Sequence, residues 1–154
     1  MHRLYPYFVT GRPALGLLIL RLVTGGALML HGWPKIHNPF HWLDKMPNHP
    51  PGILQALAAL SEFGGGLALV LGLLTPIAMF GVVCTMLVAI FKVHLAAGDP
   101  WVASPGAKGG SYEPALGYLA VALTFILAGP GVYSLDAMLF GHARRVSDQR
   151  SHYR

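Results

Sequence analysis

A single arginine, Arg21, stands inside the apolar run Ala14–Trp33, and a single glutamate, Glu62, stands inside the next, Pro51–Leu74. Two further apolar runs follow, Pro76–Ala97 and Pro114–Gly129. The first three are near the ~20 residues that cross a hydrocarbon core. The fourth is shorter and ends in Gly129-Pro130-Gly131. A soluble bundle would need polar faces at helical period, and these runs have none. Charged residues are 11% of the 154-residue chain, which is 54% hydrophobic, against about a quarter charged in a soluble domain. The expected fold is all-α: an integral-membrane bundle of four transmembrane helices at about 14–33, 51–74, 76–97 and 113–129. A lead over 1–13 precedes it. A short interfacial helix over 135–140, capped by Ser134, and a basic tail over 141–154 follow it.

A lone charge at mid-bilayer costs roughly 2.5–3.5 kcal/mol, and two opposite charges that meet recover much of that. Arg21 lies about 10 Å from one end of the first run, at 1.5 Å per residue, and Glu62 about 15 Å from the opposite end of the second. Their levels in a ~30 Å core then differ by roughly 5 Å. Arg21–Glu62 is therefore expected as an interior ion pair. It either fixes helix register or orients a polar ligand or passes protons. Thr24 and Gly25 share a face with Arg21, and Ala58, Gly65 and Gly66 share one with Glu62; small residues let helices approach closely in lipid.

The basic residues set orientation. Arg3, Arg12, Arg144, Arg145, Arg150 and Arg154 fall on the side of the termini, and only Lys35, Lys45 and Lys108 on the other. Both termini are expected in the cytoplasm. The first run is expected to be retained, because a charge interrupts it and His31-Gly32-Trp33-Pro34-Lys35 follows where a signal peptide has its cleavage site. Pro34 is expected to end the first helix. Trp33, Trp42, Trp101 and Tyr112 on one side, and Tyr5, Tyr7, Phe8, Tyr133 and Phe140 on the other, read as interfacial belts. No basic stripe marks a nucleic-acid-binding surface. A lone cysteine, Cys84, excludes an internal disulfide relay.

A second polar layer forms at the outer helix ends from His31, Lys92, His94 and Glu113. Lys92 and His94 are two apart, so only one of them faces the core. The plain readings are an interfacial histidine at His31 and a carboxylate complementing a helix N-terminus at Glu113. The functional readings are ligand binding and proton handling. His31 and His94 could bracket a haem between the first and third helices, but two histidines alone do not define such a site. The spacing of His37, His41 and His49 matches no metal motif, and no metal site is expected.

The segments Leu20-Arg21-Leu22 through Leu30-His31-Gly32-Trp33-Pro34-Lys35 resemble the first helix of DoxX family membrane proteins. Glu62-Phe63-Gly64-Gly65-Gly66-Leu67 and Leu71-Gly72-Leu73-Leu74-Thr75-Pro76 resemble the second helix and turn. Val93-His94, Tyr112-Glu113, Gly129-Pro130-Gly131 and Ser134-Leu135-Asp136 extend the likeness to about Leu17–Leu139. The resemblance implies a four-helix inner-membrane protein, oxidoreductase-like, with some relatives tied to quinone-linked or thiol redox partners. The matched positions are Arg21, His31, Lys35, Glu62, His94 and Glu113.

The leading expectation is a membrane subunit of a redox system that binds quinone or another small amphipathic ligand. Its site would lie between the outer polar layer and the Arg21–Glu62 pair. No flavin, haem or iron–sulfur motif is visible, so a partner protein would supply electrons. The rival is a non-catalytic structural or assembly subunit of a larger membrane complex. A small transporter would need self-association, which the sequence leaves open.

Overall fold

The computed structural model describes residues 7–46, 49–104 and 110–141, and all regular structure among them is helical. Helix α1 spans Gly11–Ile36, α2 Gly52–Leu71, α3 Thr75–Ala97 and α4 Glu113–Ala128. A short α5 covers 135–141. The first three are long and apolar enough to cross a membrane. The fourth, at 16 residues, rises about 24 Å. The chain is an integral-membrane helical bundle. Large apolar side chains face outward, as Leu127 at 79% exposure does, while Arg21, Gln55, Glu62 and Asp136 are buried.

Prolines start the helices where a missing N–H costs nothing: Pro76 and Pro114 lie in the first turns of α3 and α4, and Pro51 precedes α2. Pro34 does not end α1 as expected; it lies inside the helix, which continues to Ile36. So near the C-terminus the lost N–H forfeits a single backbone bond. The extra residues place Lys35 on α1.

Helix α2 packs on both α1 and α3, and α4 packs on α3. The α1–α2 approach is backbone to backbone. A Cβ at Gly25 would lie 2.7 Å from the Gly66 carbonyl oxygen, and one at Gly32 would lie 2.5 Å from the Phe63 nitrogen. Leu28, Leu69, Met79, Val82, Met86 and Phe125 form the apolar centre.

Because α1 and α2 are antiparallel, the Gly25–Gly66 contact fixes their register. The α2 end at Leu71 then falls level with about Leu20, so some 14 Å of α1 projects past it. That projection is covered by the segment after α4: the Val132 N–H donates to the Val9 carbonyl at 3.0 Å, and Gly131 lies against Ala14 and Leu17. The end of the bundle with the α2–α3 turn and α5 is the turn end. The end with segments 37–50 and 98–112 is the loop end. The basic positions Arg3, Lys108, Arg144, Arg145, Arg150 and Arg154, and Tyr5, lie outside the described residues.

Candidate functional site: a groove at the loop end

The expected Arg21–Glu62 pair does not form. Arg21 binds carbonyls at the turn end: its Nε donates to Leu69 O at 2.9 Å and Nη2 to Val70 O at 3.0 Å, while Nη1 donates to Pro130 O at 2.9 Å and Tyr133 O at 2.8 Å. Two of these are among the last carbonyls of α2, which no intrahelical N–H can reach. A positive charge there also opposes the negative end of the helix dipole. Equating the levels of the apolar run ends misplaced the pair, since α1 overshoots α2.

The same junction holds a buried acid. Asp136 accepts from the backbone N–H of Leu74 at 2.7 Å and of Thr75 at 2.9 Å, and its own N–H donates to Gly72 O at 2.8 Å. It thereby caps the N-terminus of α3 from 61 residues along the chain. Gly72, at φ +65°, closes α2 with Leu73 N–H to Ala68 O and Gly72 N–H to Leu69 O, the paired bonds of a Schellman end. A Cβ there would lie 2.8 Å from the Arg21 Cζ. Ser134 caps α5 as expected, its hydroxyl accepting from Ala137 N–H at 3.1 Å. Arg21 and Asp136 thus fasten the turn end, and all three side-chain nitrogens of Arg21 are engaged there.

Glu62 answers to Lys35 instead. The ammonium lies 2.6 Å from both carboxylate oxygens, and it also stands 4.6 Å over the ring of Trp42. Trp42 belongs to the segment after α1, which folds back on the start of α2 and is held by buried Gln55. The Trp42 indole N–H donates to Gln55 O at 3.0 Å, Leu43 N–H to Gln55 Oε1 at 2.8 Å, and Gln55 Nε2 to Asp44 Oδ1 and Pro50 O, both at 3.0 Å. The Gln55 amide, followed by a histidine contact from His41, holds the Asp44 carboxyl below its ordinary 3.8.

Between α2 and α3, beneath this folded segment, lies a groove of about 510 Å³. Its walls are mostly apolar, with Leu54, Leu57 and Ala58 on α2 and Val88, Ala89 and Val93 on α3. Lys35, Glu62 and His94 supply its polar groups, with Ser61, Thr85 and Cys84 along its length. His94 lies at the end of a π turn, Ala89–His94, and its Nδ1 is 2.8 Å from Asp99 Oδ2. A wider turn of this kind within an α-helix frequently marks a functional position.

Of the expected site residues, Glu62 and His94 meet at this groove, and Arg21, His31, Lys92 and Glu113 do not line it. Lys92 and Glu113 are exposed; as expected from their spacing, Lys92 and His94 face apart. His31 meets Tyr118 of α4 edge-on, with centroids 5.6 Å apart, and does not share the groove with His94. Among the described residues no cluster of three metal-ligating side chains exists. Lys35 enters the site as Glu62's partner, and Gln55, Trp42 and Asp99 enter it unforeseen. The signal for Gln55 was an amide inside an apolar run; the others depend on loop folding that no local pattern reports.

Comparison with known proteins decides the family. The DoxX family model matches residues 16–95. Inner membrane protein YqjF of Escherichia coli (strain K12) is 32% identical over 132 residues, covering 80% of this chain and 92% of that protein. The chain belongs to the DoxX family. No solved structure matches it. The DoxX match takes in Arg21, Lys35, Glu62 and His94 and stops before Asp99, Glu113 and Asp136.

Proposed function

We propose that this DoxX protein is a bacterial inner-membrane subunit of a redox system and that the α2–α3 groove binds a quinone or another small amphipathic ligand. The groove itself carries the reading. Its volume of about 510 Å³ falls within the ~300–1,000 Å³ usual for small-molecule sites, which are mostly apolar with a few placed polar groups. Ionisable side chains inside a membrane protein mark function by default, and here Lys35, Glu62 and His94 line one apolar wall system. A tail would lie along Leu54, Leu57 and Val88, and a polar head would meet Lys35, Glu62 and His94. A partner protein exchanges electrons with the bound ligand. Arg21 is a structural anchor in this account.

The basic bias at the termini supports an orientation with both termini in the cytoplasm, which would open the groove toward the periplasmic half of the bilayer. The inner-membrane name of the Escherichia coli relative supports the location.

Purification in mild detergent without added ligand tests the proposal. The expected result is a stoichiometric quinone or similar amphiphile identified by mass spectrometry. A ligand-free protein that co-purifies with another membrane protein would overturn it in favour of a structural or assembly subunit.

A further inference from the structure

We infer that the groove's ligand carries a weakly acidic hydroxyl, of the phenol or enol class, and that the His94–Asp99 pair accepts its proton; this rests on the ligand-binding reading of the groove. His94 is fixed from two sides. Its Nδ1 faces Asp99 Oδ2 at 2.8 Å, and its carbonyl accepts the Asp99 N–H at 2.9 Å. A carboxylate can only accept, so Nδ1 carries the hydrogen, and in the neutral ring Nε2 keeps the lone pair. Gly110 lets the returning chain close over the pair: a Cβ there would lie 3.0 Å from Asp99 Oδ2 and 3.4 Å from His94 Cε1.

The titratable groups at the groove are Lys35 from α1, Glu62 from α2 and Cys84 and His94 from α3, with Asp99 behind His94. Lys35 against Glu62 and Asp99, with His94 neutral, leaves one net negative charge. A permanently anionic head is repelled by that charge, and a ketone, the oxidised form of a quinone included, has no proton to give, so of a quinone couple only the reduced, hydroxyl-bearing form fits. A neutral hydroxyl enters without that repulsion and only then ionises. Its O–H bond breaks, the electron pair stays on oxygen, and an Nε2–H bond forms. The imidazolium is then paired with Asp99 on one side and with the new oxyanion on the other. No electron moves in this step.

The probe is an octyl-substituted 4-nitrophenol, added to the full chain in phosphatidylcholine nanodiscs. Saturable quenching of tryptophan fluorescence reports occupancy, and the visible phenolate band reports ionisation. Bound probe is expected to show about a tenfold higher phenolate-to-phenol ratio than probe in empty nanodiscs at the same pH, equivalent to about 1.4 kcal/mol. His94→Gln and Asp99→Asn should lose that gain and still show saturable quenching. Saturable quenching without the gain, or a gain unchanged in His94→Gln, overturns the proton-acceptor assignment and leaves the groove standing as a ligand site. If quenching is not saturable, or survives both Ala58→Phe and alkylation of Cys84 in the folded protein, the groove is not the site and both readings fall. Alkylation covers the case in which Ala58→Phe fails to fold.

Discussion

Arg21 and Glu62 flank the Gly25–Gly66 contact, each about one turn away on opposite sides, so about 12 Å of helix axis separates them. Each charge answers to a different end of the molecule. Arg21 closes the turn end through the carbonyls of Leu69, Val70, Pro130 and Tyr133. Glu62 closes the loop end through Lys35. The bundle therefore has one polar clamp that holds it shut and one that borders an open groove.

The two charges should be energetically independent. Sites this far apart with no shared partner add within about 0.3–0.5 kcal/mol. Arg21→Met/Glu62→Met should therefore be about as destabilised as the sum of its single changes. Lys35→Met/Glu62→Met should be less destabilised than its sum, with a coupling of about 0.5–3 kcal/mol. Thermal unfolding of the three single and two double variants in one detergent checks both. Rescue in the Arg21 double variant would contradict the geometry.

Arg21→Lys should behave as a loss. An ammonium has three donors on a single nitrogen and cannot span four carbonyls that a planar guanidinium reaches at once. Leaving buried acceptors unpaired costs about 1–3 kcal/mol each, so the melting temperature should fall nearly as far as in Arg21→Met. A melting curve matching the parent protein's would refute the claim that the four carbonyl bonds hold the turn end.

Glycine substitutions should sort by contact. At Gly32 a new methyl meets the Phe63 backbone at 2.5 Å, and at Gly16 it meets nothing within 4 Å. Gly32→Ala should lose about 1–3 kcal/mol through overpacking. Gly16→Ala should be neutral or gain up to about 1 kcal/mol from helix propensity. The difference in unfolding temperature between the two variants is the readout.

The segment over α2 should loosen in acid. The Asp44 carboxyl is held below its ordinary 3.8, first by Gln55 and then by His41. A carboxylate lowered in the folded state contributes stability that is complete above its unfolded value and lost as pH falls through the folded one. Hydrogen exchange at the Leu43 amide, which donates to Gln55, should stay protected at neutral pH and rise once pH drops below 3.8. In Asp44→Asn the protection should be lower at neutral pH, and the two proteins should converge in acid.

The fold was legible because lipid makes the rule simple: apolar runs of sufficient length become helices, and small residues beside a charge mark the inward face. Gly25, Gly65 and Gly66 are buried as that rule requires, and Ser134 caps α5. Register was not legible. An apolar run shows where a helix can exist, but not how far α1 slides past α2, and that slide decides whether Arg21 meets a carboxylate or four carbonyls. The caps by Asp136 and Gln55 were hidden for a related reason. Each is a long-range bond made after the chain has turned back, and neither leaves a local period. The site was half legible, since Glu62 and His94 stood out as polar groups in apolar runs, whereas Lys35 and Asp99 matter only through their partners.

The central claim is that the α2–α3 groove holds an amphipathic ligand, and native mass spectrometry of the protein released from membranes tests it most directly. The parent protein should carry one bound amphiphile, and Ala58→Phe, folded by its melting curve, should carry none. Equal occupancy in the two proteins, or a parent protein that carries nothing, would contradict the account.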